Sequence, residues 1–350
     1  MNRRAFCTLA TSTALAYGAD NKDQKKIRVA MVGTAHGHAA SKVRALRQLP
    51  IYDFAGVCRV HPDEPYSNDA FKGVTWLDFG GVLKDPSIEL VAIETRVERN
   101  LDYAERAVAA NKWVHLDKPP GADLERLRKL FAEAHQRGKI VQLGYQWRYH
   151  AGMVAAIEAM RKGWLGQVYS MRAVIDKPLA ADERLQLAKF RGGIMFEEGC
   201  HLIDRAVDLF GKPNRVSGHM QHSAAVNDGL ADNTLAILEY DKVLVDIAMQ
   251  SFQPHGNKYR TFELSGTNGK AFVQPYAQAR MLIDLKEAAG PYKAGDQMVD
   301  PVEPLPAYSP DFLEFAHIIR DGAKPSFSAD HDLIVQDTLL KACGMQSRNS

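Results

Sequence analysis

The sequence predicts a two-domain α/β protein: a doubly wound parallel sheet over residues 27–144, then an α+β domain over residues 145–345 built on a mainly antiparallel open sheet. Three observations lead there. The chain has 350 residues, beyond the ~250–300 at which a single core stops growing. Up to Gly144, short apolar runs alternate with amphipathic helical stretches, the pattern of βαβ units. After Gly144, strand-like runs follow one another through turns too short for anything but antiparallel pairing.

In the first domain, Ile27–Val32 reads as a strand running into Gly33, with a helix to about Leu49. Phe54–Cys58 is a second strand and Leu90–Ile93 another, followed by a helix from about Leu101 to Ala110. Trp113–Leu116 is the next strand, the helix Leu124–Arg137 follows it, and Lys139–Leu143 closes the set. In the second domain, a helix is expected over about Tyr149–Lys162, then strands over 168–175, 234–240, 243–250, 259–265 and 270–274. Tyr240-Asp241-Lys242 and Gly266-Thr267-Asn268-Gly269 are the hairpin turns. A helix over about Phe196–Leu209 interrupts the strands. The proline-rich stretch 291–310 reads as a wrapping loop, and helices near 310–321 and 330–344 end the chain.

Composition bounds the function. Hydrophobic side chains make up 46% and charged ones 25%, which excludes a disordered tail, a collagen-like fibre and a disulfide-rich miniprotein. Lys+Arg number 44 against 42 Asp+Glu, with no block of like charge, so no nucleic-acid surface is expected. Residues 1–19 read as an export signal: Arg3-Arg4, an apolar run too short to span a bilayer, and a small-residue cleavage site at Ala14-Leu15-Ala16. The arginine pair resembles the twin-arginine type. A periplasmic or secreted protein without stable membrane insertion is therefore expected, a cytoplasmic one being the alternative. Cys58, Cys200 and Cys343 lack metal spacing and an even count, so buried thiols are expected.

Four stretches carry chemistry. The turn Gly33-Thr34-Ala35-His36-Gly37-His38 follows the first strand and opens a helix, as a dinucleotide-binding Rossmann turn does; Ala35 and His38 stand where its second and third glycines belong. Arg59, at the end of the second strand, replaces the usual acidic ribose ligand and leans the cofactor from NAD towards NADP. Asp117-Lys118-Pro119-Pro120 follows a parallel strand, where an ammonium can polarise a substrate hydroxyl. In Glu197-x-x-x-His201-x-x-Asp204, a helical face joins a carboxylate to an imidazole, which suits a general base. Gly192-Gly193 would let that helix start approach a ligand. Glu197, Glu198 and His201 could instead ligate a metal, but one histidine without a second cluster ranks that lower, and no metal is expected.

These motifs make the chain, from Ile27 to about Gly344, similar to the Gfo/Idh/MocA oxidoreductases, the family of glucose-fructose oxidoreductase and inositol dehydrogenase. Asp117-Lys118-Pro119 stands for the family's Glu-Lys-Pro, and Glu197, His201 and Asp204 for its Asp-x-x-x-His-x-x-Asp. Smaller echoes are the stretches 144–149 and 264–269. Thr95-Arg96 stands at its Thr-Pro, and Asn100 at its downstream histidine. The resemblance implies that Lys118 and His201 are the catalytic pair, with Glu197 as their partner. It makes Gly33, Thr34, Ala35, His36, Gly37, His38, Arg59, Thr95 and Asp117 cofactor neighbours.

The expected activity is NAD(P)-dependent oxidoreduction of a CH–OH group on a sugar or polyol. His201 takes the hydroxyl proton, Lys118 stabilises the alkoxide, and Arg148, Tyr149, His150 and Asp204 contact substrate. Export of a folded protein implies tightly bound NADP or NAD, recycled on the enzyme. Redox-assisted glycoside cleavage is the alternative, and a non-catalytic sugar-binding protein a further one. A homo-oligomer is expected from the resemblance.

Overall fold

The computed structural model describes residues 25–64, 69–274, 279–301 and 305–345; the export segment lies outside them. Two compact units divide the chain, one holding the residues up to Gln146 with Pro304–Ala329, the other Trp147–Glu303 with the residues from Asp330 on.

The first unit is a parallel sheet of six strands: β1 (Ile27–Val32), β2 (Tyr52–Cys58), β3 (Trp76–Leu77), β4 (Leu90–Ile93), β5 (Trp113–Leu116) and β6 (Val141–Leu143). Their order is β3-β2-β1-β4-β5-β6. Every residue of β4 is buried, because helices cover both faces, and that is why its sequence reads as an unbroken apolar run. The crossover helices are α1 (Ala39–Gln48), α2 (Phe79–Lys84), α3 (Asn100–Ala109) and α4 (Leu124–Gln136). Asp78 and Asp123 cap α2 and α4, each carboxylate accepting a backbone N–H three residues on, at 2.8 and 2.9 Å. Strand order reverses between β1 and β4, so the crevice above their carboxyl ends is where such a sheet takes a ligand.

The second unit holds α5 (Ala151–Arg161), β7 (Val168–Val174), α6 (Ala181–Leu187), α7 (Cys200–Phe210), β8 (Arg215–Gln221), β9 (Asn233–Glu239) and β10 (Leu244–Gln250). β11 (Thr261–Gly266), β12 (Gly269–Val273), β13 (Met281–Leu285) and β14 (Gly295–Val299) follow. The eight strands run β14-β13-β12-β11-β7-β10-β9-β8, antiparallel except for the parallel pair β7–β10. Both expected hairpins form, joining β9 to β10 and β11 to β12. Three strands of this sheet, β8, β13 and β14, were not expected; β8 and β14 have no fully buried residue, so neither shows apolar alternation. β14 also occupies part of the stretch expected to be a loop.

One boundary is corrected. The helix expected to end the second domain, α8 (Ser309–Asp321), belongs to the first unit. Its Phe312, Leu313, Phe315, Ala316 and Ile318 are buried with Ile27, Val29 and Tyr52 in one core cluster. Tyr52 donates its hydroxyl hydrogen bond to the Phe312 carbonyl at 2.6 Å, and Arg320 pairs with Glu89 at 2.6 Å. The last helix, α9 (Ala329–Ala342), runs on into the second unit. Cys58, Cys200 and Cys343 are buried free thiols, as expected. Among the described residues no helix is long and apolar enough to cross a membrane.

Phe312→Ala should cost about 3–5 kcal/mol and lower the thermal midpoint by roughly 10 °C. Leu185→Ala, at a side chain 58% exposed, should move it by no more than about 1–2 °C.

Candidate active site

In the first unit, the turn after β1 is held by backbone: the Gly33 N–H donates to the Cys58 carbonyl at 2.8 Å and the His36 N–H to the Glu94 carbonyl at 3.1 Å. Gly33 has φ +88°, and a Cβ there would lie 2.7 Å from Thr95 Cγ2 and 2.8 Å from the Glu94 carbonyl oxygen. Only glycine closes this turn. A Cβ on exposed Gly37 would meet nothing within 4 Å, so backbone there is open to a ligand. Thr34, buried, donates its N–H towards Glu64 Oε2 at 3.4 Å, and Ala35 is half-buried. The turn therefore fits a dinucleotide at its first glycine and along its backbone, with alanine and histidine tolerated at the other two positions.

Behind the turn lies a buried charge cluster that the sequence reading missed. Lys42, on α1, is fully buried and donates to Glu94 Oε1 at 2.6 Å and to Asp117 Oδ1 at 2.9 Å. The ammonium sits 5.4 Å from the Tyr308 ring centre. Asp117 Oδ2 meets His36 Nδ1, and lies 3.1 Å from His38 Nδ1. Burial opposes charge on Lys42, but Asp117 and Glu94 outweigh it and raise its pKa. Burial likewise opposes charge on Asp117, but His36 and Lys42 hold its carboxyl well below the usual range. Glu94 is pushed up to about 8 by burial and by Asp117. Burial lowers His38 to about 4. The signal in the sequence was Lys42 itself, which sits on the stripe Ala39, Lys42, Val43, Leu46 that α1 buries.

Lys118 follows β5 and is fully buried; the Lys118–Pro119 peptide is cis. Asn100 ties this segment to the end of β4, accepting the Thr95 hydroxyl at 2.8 Å and donating to the Pro119 carbonyl at 3.3 Å. Arg59 lines an open pocket of about 850 Å³ with Trp76, Asp78, Phe79, Tyr103 and Arg106.

In the second unit, the helix expected over 196–209 begins as a π-helical turn, Met195–Gly199, before α7. Such turns break the 3.6-residue repeat, so Glu197 stands in the π-turn and His201 in the regular helix that follows it. Both are buried, and the His201 ring stacks on Trp147 with centroids 5.1 Å apart and planes 15° apart. Gly192 and Gly193 serve protein packing rather than a ligand: a Cβ on Gly192 would lie 2.2 Å from Cys343 Sγ, and one on Gly193 2.3 Å from the Ala231 carbonyl oxygen.

Two residues expected to contact substrate have protein partners. Arg148 and Asp204 are buried against each other at 2.7 Å, with Asp332 also on Arg148. Asp204 takes Arg205 at 2.5 Å and His331 at 2.9 Å as well. Burial opposes ionisation of Asp204, but Arg148 and Arg205 hold its carboxyl well below the usual range. This network engages both charged groups with protein partners. His150 caps α5, its Nδ1 accepting the Met153 N–H at 3.2 Å; Tyr149 ends the short 3₁₀ turn before it. Glu198 pairs with Lys177 at 3.2 Å. Among the described residues the clusters with metal-ligand spacing are His36, His38, Asp117 and Asp204, His331, Asp332, not Glu197, Glu198 and His201.

Residues 27–145 match the model of an oxidoreductase family with an NAD-binding Rossmann fold, and residues 153–272 that of the Gfo/Idh/MocA C-terminal domain. The chain belongs to the Gfo/Idh/MocA oxidoreductases. The uncharacterized oxidoreductase YhhX of Escherichia coli (strain K12) is 30% identical to it over 142 residues, 40% of each chain. Two solved structures share the fold of this Gfo/Idh/MocA protein. GenD2 from gentamicin A biosynthesis, in complex with NAD, has TM-score 0.76 at 20% identity, covering 92% of this chain and 94% of its own. UDP-N-acetylglucosamine 3-dehydrogenase GnnA from Acidithiobacillus ferrooxidans has TM-score 0.74 at 18% identity, covering 92% and 98%.

The cluster makes a pH prediction. Glu94 binds a proton up to about 8 in the folded chain, against an ordinary 4.5, so its contribution to stability is lost as pH rises through that window. Thermal melts of Glu94→Gln, run with chelator between pH 5 and 8, should lack the part of the fall with pH that wild type shows.

Proposed function

We propose that this NAD(P)-binding oxidoreductase interconverts a secondary alcohol and a ketone on a sugar or polyol. One observation carries the proposal: a fully buried lysine, Lys118, at the carboxyl end of β5, in an NAD-binding Rossmann domain. An ammonium withdrawn from water is a strong stabiliser of a developing alkoxide. His201, its ring plane set by Trp147, takes the hydroxyl proton, and Glu197 orients it. The turn at Gly33 to His38, with Thr95, holds the nucleotide. When bound, NAD(P) supplies the hydride acceptor for the carbinol carbon. A sugar-derivative substrate is favoured by one structural neighbour, a UDP-N-acetylglucosamine 3-dehydrogenase.

The nucleotide is NADP by preference and is held tightly. Arg59 and Arg106 line one pocket, a cationic pair suited to a 2′-phosphate. Twin-arginine export, read from residues 1–19, carries folded protein into a compartment with little free nucleotide, which favours a cofactor that leaves with the enzyme. The homo-oligomer belongs to the same reading. The open face of the second sheet carries half-buried Ile237 and Phe272 and exposed Leu244 and Met298 among the ion pairs Arg172–Asp246 and Lys270–Glu263.

Denaturing the purified protein and weighing the released nucleotide tests the core of this reading. NADP or NAD at about one per chain is expected, and no nucleotide overturns it in favour of a sugar-binding protein. Lys118→Ala should retain the nucleotide but lose ~10²–10³ in turnover; unchanged turnover refutes the role. Sugar release from a glycoside without net reduction would reassign the chemistry to redox-assisted cleavage. Arg59→Ala should weaken NADP at least ~10-fold, the scale of one lost charge-assisted contact, and leave NAD affinity unmoved.

A further inference from the structure

The turn that opens α1 carries more than a nucleotide needs. Where a dinucleotide turn uses small residues, this one presents two imidazoles, and both point to one carboxylate. His36 Nδ1 meets Asp117 Oδ2, and His38 Nδ1 lies 3.1 and 3.3 Å from the two Asp117 oxygens. One ligand atom from each of the three lies within 4.8 Å of the others. Ligands bound ~2.0–2.2 Å from one tetrahedral ion stand roughly 3.3–3.6 Å from each other, so shifts of about an ångström would let the three atoms share a cation.

A second observation points to the same spot. Glu94 is fully buried, and its Oε1 is taken by Lys42. Its Oε2 has no hydrogen-bond partner and lies 3.9 Å from His36 Nδ1. A buried carboxyl oxygen left without a partner is costly, and a cation between the imidazoles would relieve it. We propose that His36, His38 and Asp117, with Glu94 as a fourth oxygen donor, bind one divalent transition-metal ion in the first unit.

The donor set decides the class of ion. Two imidazole nitrogens with carboxylate oxygens suit Zn²⁺, Co²⁺ or Ni²⁺, whereas Mg²⁺ and Ca²⁺ are held by oxygen. The surroundings are those of a built site. Lys42 bonds the outer oxygens of both carboxylates and so turns their other oxygens to the histidines, the orienting role of groups behind metal ligands. Gly144 makes room, since a Cβ there would fall 2.9 Å from Lys42 Nζ and 3.1 Å from Asp117 Oδ1. The His38 side chain stays 20% and that of His36 9% exposed, so an ion can enter from solvent and keep a position for an exogenous ligand. All these residues lie in the first unit, and the site does not depend on the redox reading.

Full-length protein stripped by chelator and freed of nucleotide should bind one Co²⁺ per chain, with the visible ligand-field bands of a nitrogen–oxygen site, and excess Zn²⁺ should bleach them. X-ray absorption of the zinc form should count two imidazoles and needs no variant. His36→Ala and His38→Ala should each weaken binding at least ~10–100-fold, the loss seen even for groups behind the ligands, and abolish the rise in melting temperature that zinc gives wild type. His331→Ala, in the other cluster of metal-ligand spacing, should change nothing. No bands at millimolar Co²⁺, fewer than two imidazoles in the absorption spectrum, or loss of binding on His331→Ala instead would each overturn the proposal and leave a hydrogen-bonded His–Asp–His group. A strong zinc site in protein that carries no nucleotide would uphold it while the redox reading fails.

Discussion

One buried ammonium organises the first unit. Lys42 reaches from α1 to the carboxyl ends of β4 and β5, where it bonds Glu94 and Asp117. These are the residues that follow two adjacent parallel strands, one of them at the point where strand order reverses. Removing one member of such a group leaves uncompensated buried charge, typically at a cost of about 3–5 kcal/mol. The arrangement fixes the floor of the crevice while the turn at Gly33 fixes its rim. A parallel layout ties α8 to the sheet: His115 on β5 meets Asp311 at 2.6 Å, and Gln142 on β6 donates to the Asp311 carbonyl at 3.0 Å. The sheet's carboxyl edge is thus laced by polar contacts that apolar packing alone would not specify.

The second unit repeats the strategy with different chemistry. Asp204 gathers Arg148, Arg205 and His331, and Arg148 also takes Asp332 from the last helix. Three separate stretches of chain meet there, so the network fixes the start of α9 and the turn before α5 against α7. Asp204, expected to contact substrate, thus also ties elements of the fold together. His201, three residues earlier, stacks on Trp147 instead, and the π-turn ahead of it sets where Glu197 stands.

What could be read from the chain follows from where water is excluded. β1, β4 and β5 were legible because helices bury both faces, so all their positions but Arg28 and His115 are apolar. β9 and β10 were legible from alternation, with one face covered. β8 and β14 were not, since neither buries a residue fully. The return of α8 to the first unit was invisible because its partners, Ile27 and Tyr52 among them, lie some 260 residues away. Among the candidate residues, Lys118 and the Gly33 turn in the first unit, and His201 in the second, stood out by type and position. Lys42 and Glu94 did not, because a lysine on an apolar stripe and a glutamate after a strand acquire meaning only when the fold joins them. The π-turn carries no composition signal.

The charge count at the turn explains why its substitutions are tolerated. A dinucleotide brings a doubly negative pyrophosphate to a helix N-terminus, yet here two carboxylates lie just behind that terminus. With both ionised, one ammonium cannot neutralise them, which is why burial and Asp117 push Glu94 up to about 8. Histidine in place of the third glycine gives up the close helix–strand approach that glycine allows, but its ring meets Asp117 and shields that charge from the crevice. A cation held by the same ring would go further and make the rim basic. Ion and nucleotide would then strengthen each other by the same factor, since linkage between two bound ligands is reciprocal. A bound ion, rather than the neutral His38 ring, would then supply the charge that a glycine-poor turn lacks toward the phosphates.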